Sequence, residues 1–141
     1  MDMMRASHAM AAPVLHFGLQ DEIRRLRGEA GTGGGSAGRN AITLVKDGPL
    51  RVVLILLPAG ASMEEHAAPG PATVHVLGGR VRIGAQTDEC TCAAGGIVVF
   101  NGGIAHTVTA EEESTLLLTL IDARILAGAT GATASRDHGD L

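Results

Sequence analysis

The 141-residue sequence predicts an all-β domain, a sandwich closed into a barrel, with one N-terminal helix packed outside it. Three observations lead there. Short aliphatic and β-branched runs recur from position 41 to 121, separated by Gly, Pro, Asn and Asp. Twenty glycines supply the corners and tight turns that such a chain needs. Only one stretch has helical periodicity. With two Phe and neither Trp nor Tyr, the core between the sheets has to be filled by Ala, Val, Leu and Ile. The length suits one domain with a real core and leaves no room for two.

Taken in order, residues 1–40 read as an arm, a helix and a glycine-rich connector. In Asp21 to Glu29, with Leu19 just before it, Leu19, Ile23 and Leu26 recur at helical spacing. Asp21 and Glu22 near its start and arginines towards its end suit the helix dipole. GEAGTGGGSAGRN, residues 28–40, follows as a flexible connector; it lacks the ending of a phosphate-binding loop. From 41 to 122 the pattern is β. Ile42–Val45 reads as a short strand, 46–49 as a turn, and Arg51–Leu57 as a strand covered on both faces. Residues 60–71 read as a loop ending in a Pro-Gly-Pro turn, followed by a strand over Ala72–Leu77. Beyond Gly78-Gly79, Val81 and Ile83 point inward and Arg80 and Arg82 outward. Thr87–Glu89 reads as a turn, Ile97–Phe100 as a strand and Asn101–Gly103 as a turn. A strand from His106, an acidic bend at Glu111–Glu113 and a buried strand over Ser114–Ile121 complete seven or eight strands. Residues 123–141 read as a tail whose first residues form one helical turn.

Composition limits the function. A formal net charge of −4 and the scarcity of aromatics exclude a phosphate-binding surface and a base-stacking platform, so no nucleic-acid partner is expected. No apolar run reaches membrane-spanning length, and no membrane partner is expected. The apolar residues of MDMMRASHAMAAPVLHF are diluted by His8 and His16, which reads as an extension rather than a signal peptide. Cys90 and Cys92 are too close for an unstrained disulfide; as the ordinary reading they are two small buried side chains. Cytoplasmic residence is the default expectation.

Six histidines are the candidates for chemistry. His8, His16 and His138 fall in the arm, before the helix and in the tail, where solvated side chains are expected. His66 and His106 each follow a loop and start a strand-like segment, so the two imidazoles could converge inside the fold, as metal ligands or as an acid/base pair. His75 has the opposite parity to Val74 and Val76 and is expected on the outer face. Asp88 and Asp122 are expected far from either ring, the first on a remote turn and the second past the last strand.

Gly60, His66 and Gly79, with Gly95, Gly103 and His106, keep the spacing of two motifs. The first is glycine, five residues, His-x-His, three or four residues, Glu, six residues, glycine. The second is glycine, a proline, a glycine two further on and a histidine three beyond; Asn101 stands at the proline. On these motifs the chain resembles small single-domain members of the cupin superfamily, the double-stranded β-helix or jelly-roll barrels. The resemblance implies that fold from about 41 to 121, and a homodimer, with His75 at the interface. It also implies a metal set of two histidines and a Glu from the first motif and one histidine from the second. Here His66 and His106 hold two of those positions, while Ala68 and Ala72 stand at the other two. Glu64 and Glu65 are expected to precede the strand and face solvent. The expectation is therefore a cupin-domain protein that binds a small polar molecule with His66 and His106. The alternative is a dioxygenase or isomerase holding Fe, Mn, Ni or Zn on an incomplete ligand set.

Overall fold

The computed structural model describes residues 12–30, 40–67 and 69–125, and the side chains of all of these except 29, 30 and 64–67. Most of the arm with His8, the middle of the glycine-rich connector, Ala68, and the tail from 126 with His138 lie outside the described residues.

Helix α1 (Leu19–Ala30) starts two residues before the expected Asp21. Its start is set by Gly18, whose carbonyl accepts from the amides of Asp21 and Glu22 at 3.1 Å each. Asp21 pairs with Arg24, and Glu22 with Arg25 at 3.2 Å. These pairs add a few tenths of a kcal/mol each at most. The helix is held mainly by Ile23 and Leu26, which are buried against the sheet. At its far end the Asn40 side-chain amide donates to the Leu26 carbonyl at 3.1 Å.

Strands β1 (Asn40–Asp47) and β2 (Leu50–Leu57) form a hairpin. The register slips at Leu44, so a bulge admits Leu44 and Val45 side by side into the cluster under α1. Strand β2 is covered on both faces, as its unbroken apolar run requires. Leu54 and Leu56 meet α1, while Ile55 and Leu57 enter the core between the sheets.

The remaining strands are β3 (Ser62–Ala67), β4 (Ala72–Gly78), β5 (Arg80–Ala85), β6 (Asp88–Ala93), β7 (Ile97–Phe100), β8 (Ala105–Ala110) and β9 (Ser114–Ile121). One sheet runs β1-β2-β9-β4-β7 and the other β3-β8-β5-β6, and all pairs are antiparallel. This is the double-stranded β-helix arrangement of two facing sheets. Among the described residues no ladder joins the sheets into a continuous barrel, so the architecture is a sandwich with free edges at β7 and β6.

Three local expectations are corrected. Residues 62–67 are strand β3, not loop, so Glu64 and Glu65 lie within a strand. They sit at a register slip between Met63 and His66, where two residues of β3 oppose one of β8. The turn expected at 87–89 falls earlier, around Gln86, which has φ 56°, and Asp88 opens β6. The described chain has nine strands, not seven or eight. The acidic bend and the helical turn after Asp122 fall where expected.

The sheets are joined at one corner by Ser114, which is buried. Its hydroxyl accepts from the Arg80 amide at 3.0 Å and lies 2.7 Å from the Glu112 carbonyl. Gly79 turns the chain there at φ 86°, and a Cβ on it would sit 2.3 Å from the Glu113 carbonyl and the Ser114 hydroxyl. Gly60 has nearly the same φ, 85°, but open space where its Cβ would go. Substitution by Ala separates the two effects. Gly60→Ala is expected to cost about 1–2 kcal/mol from the backbone alone. Gly79→Ala adds an overpacking cost of about 1–3 kcal/mol. Urea unfolding of the two variants should rank them in that order.

Candidate functional site

The sandwich is packed unevenly. At one end Leu57, Val76, Val81, Val108 and Leu116 have no exposed surface at all. At the other end two rows of residues face each other. In the first sheet the ladder aligns Arg51, Leu120, Ala72 and Phe100. In the second it aligns His66, His106, Ala85 and Asp88. Positions paired directly across antiparallel strands share a face. The two histidine positions singled out from sequence are therefore direct ladder partners.

His106 is the best-defined member. It is buried, with its Nδ1 3.3 Å from the Ile104 carbonyl. A carbonyl only accepts, so that contact is a hydrogen bond when Nδ1 carries the proton. The ring stacks on Phe100 with centroids 3.8 Å apart and planes 13° apart. Beside it lies a cavity of about 170 Å³ walled by Met63, Pro69, Ala72, Val74, Leu118 and Leu120. Among the described residues its walls are apolar apart from His106.

Phe100 also walls two surface grooves at the free edges of β6 and β7. One, of about 200 Å³, is lined by Ile83, Ala85, Cys90 and Val98, with Asp88 and Glu89 at its side. The other, of about 210 Å³, adds Gln86, Asn101 and Ile104. Sequence reasoning gave Phe100 no role and dismissed Asp88. Asp88 proves to lie in the His106 row, with only Ala85 between them. Phe100 had one signal, as one of only two Phe in the chain, just before the Asn-Gly-Gly turn.

The wall at Pro69 is positioned by the end of β9. Ile121 and Ala123 donate their amides to the Pro71 and Pro69 carbonyls at 3.1 and 3.2 Å. The approach is close enough that a Cβ on Gly70 would lie 1.9 Å from the Ile121 carbonyl. Asp122 anchors this segment. Its amide donates to the Pro49 carbonyl at 2.7 Å, and its carboxylate accepts from the Arg124 guanidinium at 3.0 and 2.9 Å. Those bonds hold its carboxyl at about 2, below the ordinary 3.8.

The other candidates lie apart. His16 is exposed, and half-buried His75 is on the outer face, paired with Ile97 and Leu117. Cys90 is exposed and Cys92 half-buried, which corrects the reading of both as buried. Both are free thiols, and burial pushes the Cys92 thiol up, away from reactivity. Glu111 is held below the usual carboxylate range by the Arg80 and Arg82 guanidinium groups on the solvent side.

The position where the resemblance implies a Glu is Ala72, a methyl group in the cavity wall. Among the described residues no three His, Cys, Asp or Glu side chains come together, so the described side chains alone do not supply a three-ligand site.

No protein-family model matches the sequence, and no protein of curated function matches it. Solved structures do. A conserved protein of unknown function from Streptococcus pyogenes is 28% identical, with TM-score 0.58, over 62% of this chain and 76% of that one. An RmlC-like cupin from Shewanella frigidimarina is 20% identical, with TM-score 0.60, over 64% and 82%. Salicylate 1,2-dioxygenase from Pseudoaminobacter salicylatoxidans is 18% identical, with TM-score 0.68, over 81% of this chain and only 34% of that larger one. With the sheet order, these similarities establish a cupin-type fold.

The Asp122 anchor carries a pH dependence. Its pKa is lowered on folding, so its contribution is fully present above its ordinary value and is lost as pH falls through the folded value. Wild-type stability should therefore decline between about pH 4 and pH 2, and Asp122→Asn should make that decline shallower. Thermal melts across that range check it.

Proposed function

We propose that this chain is a cupin-fold binding protein that holds one small molecule between its sheets, with His106 and His66 making the polar contacts. One observation carries the reading: a cavity of about 170 Å³ whose single polar side chain among the described lining residues is His106, the ladder partner of His66. An apolar cavity of about 150 Å³ is large enough to take benzene. The ligand class is accordingly an apolar body of ring size with one hydrogen-bonding group. That is less polar than the sequence suggested, because Ala72 and the leucines of β9 line the space. Cupin-fold neighbours include a dioxygenase, but Ala68 and Ala72 at two of the four implied ligand positions favour binding over metal chemistry.

Phenol is a suitable probe. Calorimetric titration should show binding that Leu118→Phe abolishes by filling the cavity. His106→Ala should weaken it by roughly 1–3 kcal/mol through loss of the hydrogen-bonding partner. Elemental analysis of the purified protein should give well under one transition-metal equivalent per chain. A full equivalent lost on His66→Ala would overturn the reading.

The proposal includes a homodimer through the outer face of β9-β4-β7. Support comes from Ile97 and Val99, which are 60% and 69% exposed on an edge strand beside His75. Single exposed apolar residues are ordinary, but two on one strand face beside half-buried Leu117 form a patch. Sedimentation should find a dimer for the wild type and a folded monomer for Val99→Glu.

A further inference from the structure

The free edges of β6 and β7 leave a second space, apart from the inner cavity. The two surface grooves there, of about 200 and 210 Å³, share Ala85, Asp88 and Phe100 and so form one continuous depression. Among the described residues, none that lines it also lines the inner cavity. Its apolar part is Ile83, Ala85, Val98 and Phe100. Ile83 and Phe100 are themselves buried, which holds this surface in place. Its polar part is Asp88, with Gln86 and Asn101 beyond it.

Among the described residues, the side chains of Asp88, Gln86 and Asn101 make no hydrogen bond or ion pair. The neighbouring acids differ. Glu89 pairs with Arg82 at 3.3 Å, and Glu111 with Arg80 and Arg82 at 3.0 and 3.2 Å. Those pairs occupy the arginines of β5, and the residue directly opposite Asp88 on β5 is Ala85, which offers its carboxylate nothing. An ionised carboxylate accepts hydrogen bonds and donates none, so a partner for Asp88 has to be a donor. A negative charge that the chain leaves unneutralised is best met by a positive one. The net charge of −4 adds a general attraction for cations.

We infer that this edge groove is a second, independent binding site, for a small molecule with a ring-sized apolar body and a protonated amine, and that Asp88 selects the charge. The groove offers more than the about 150 Å³ that takes a benzene ring. Ile83 is the ladder partner of Cys90, two residues along β6 from Asp88, or roughly 7 Å. A ring resting on Ile83 and Val98 therefore reaches the carboxylate with an amine one or two carbons away. The inference does not rest on ligand binding in the inner cavity.

The test is an NMR titration of the full chain, followed at backbone amides, with benzylamine, which is protonated at neutral pH, and with benzyl alcohol, its neutral counterpart. Benzylamine should shift the amides of Asp88, Cys90 and Val98 saturably. It should bind there more tightly than benzyl alcohol by roughly two- to fivefold, the worth of an exposed ion pair. Asp88→Asn should remove that preference. Glu112→Gln, an equal change of charge at an acid that pairs with Arg80 outside the groove, should keep it. In Leu118→Phe, where the inner cavity is filled, the same amides should report the same preference. A preference that survives Asp88→Asn, or that falls equally in Glu112→Gln, overturns the assignment of Asp88. Shifts confined to Met63, Val74 and Leu118, or no saturable shift in any of these proteins, overturn the site.

Discussion

Strand β9 is hydrogen-bonded to β2 along its whole length and to β4 along most of it, and each of its faces has a different neighbour. This double pairing is what the other features depend on. It satisfies the backbone polar groups in the middle of the sheet, where unpaired ones would be costly. It also fixes which leucines look inward. Leu116, Leu118 and Leu120 face the opposite sheet, and Leu117 turns out towards the cluster under α1. A slip of one residue would exchange the two sets, since side chains alternate along a strand. It would remove two walls of the cavity and put Leu117 in their place.

The inward leucines also show how the site arises from packing. Leu116 is fully buried, while Leu118 and Leu120, on the same face, are only half-buried. The difference comes from what stands beside and opposite them. Near Leu116 the sheets contribute Leu57, Val76, Val81 and Val108, which fill the gap. Near Leu120 they contribute Ala72 and Ala85, whose methyl groups do not. Space is left beside Ala72, and the His106 ring walls it. Phe100 stacks on the other face of that ring and limits how the imidazole can turn. A small residue at one ladder position and a stacked pair of rings therefore shape this end of the sandwich.

Much of the framework was legible because it rests on local pattern. The unbroken run of β2 reports a strand covered on both faces, and the parity of His75 against Val74 and Val76 places it outside. Helix α1 shows its buried stripe in Ile23 and Leu26. Strands β3 and β6 were missed for a common reason. Ser62–Ala67 has no β-branched residue, and Asp88–Ala93 begins with two acids after a turn. Each is held in the sheet by partners far along the chain, β8 and β5, which local propensity does not report. The proposed site divides in the same way. His66 and His106, which the structure makes ladder partners, stand out in the sequence because their motif spacing is retained. Asp88 joins the His106 row through register across three strands, and Phe100 reaches His106 from the facing sheet, and neither leaves a trace in spacing.

The orientation of His106 bears on what the site can do. A general acid or base of this fold was expected to need a carboxylate to hold its ring, and the sequence offered none nearby. The structure orients the ring by other means, with the Ile104 carbonyl at Nδ1 and the Phe100 face against the imidazole. A carbonyl accepts from Nδ1 when that atom carries the proton, and the stacked Phe100 face limits how the imidazole can turn. The ring is thereby positioned at a wall it shares with Met63, Val74, Leu118 and Leu120. That placement suits the hydrogen-bonding role proposed for it.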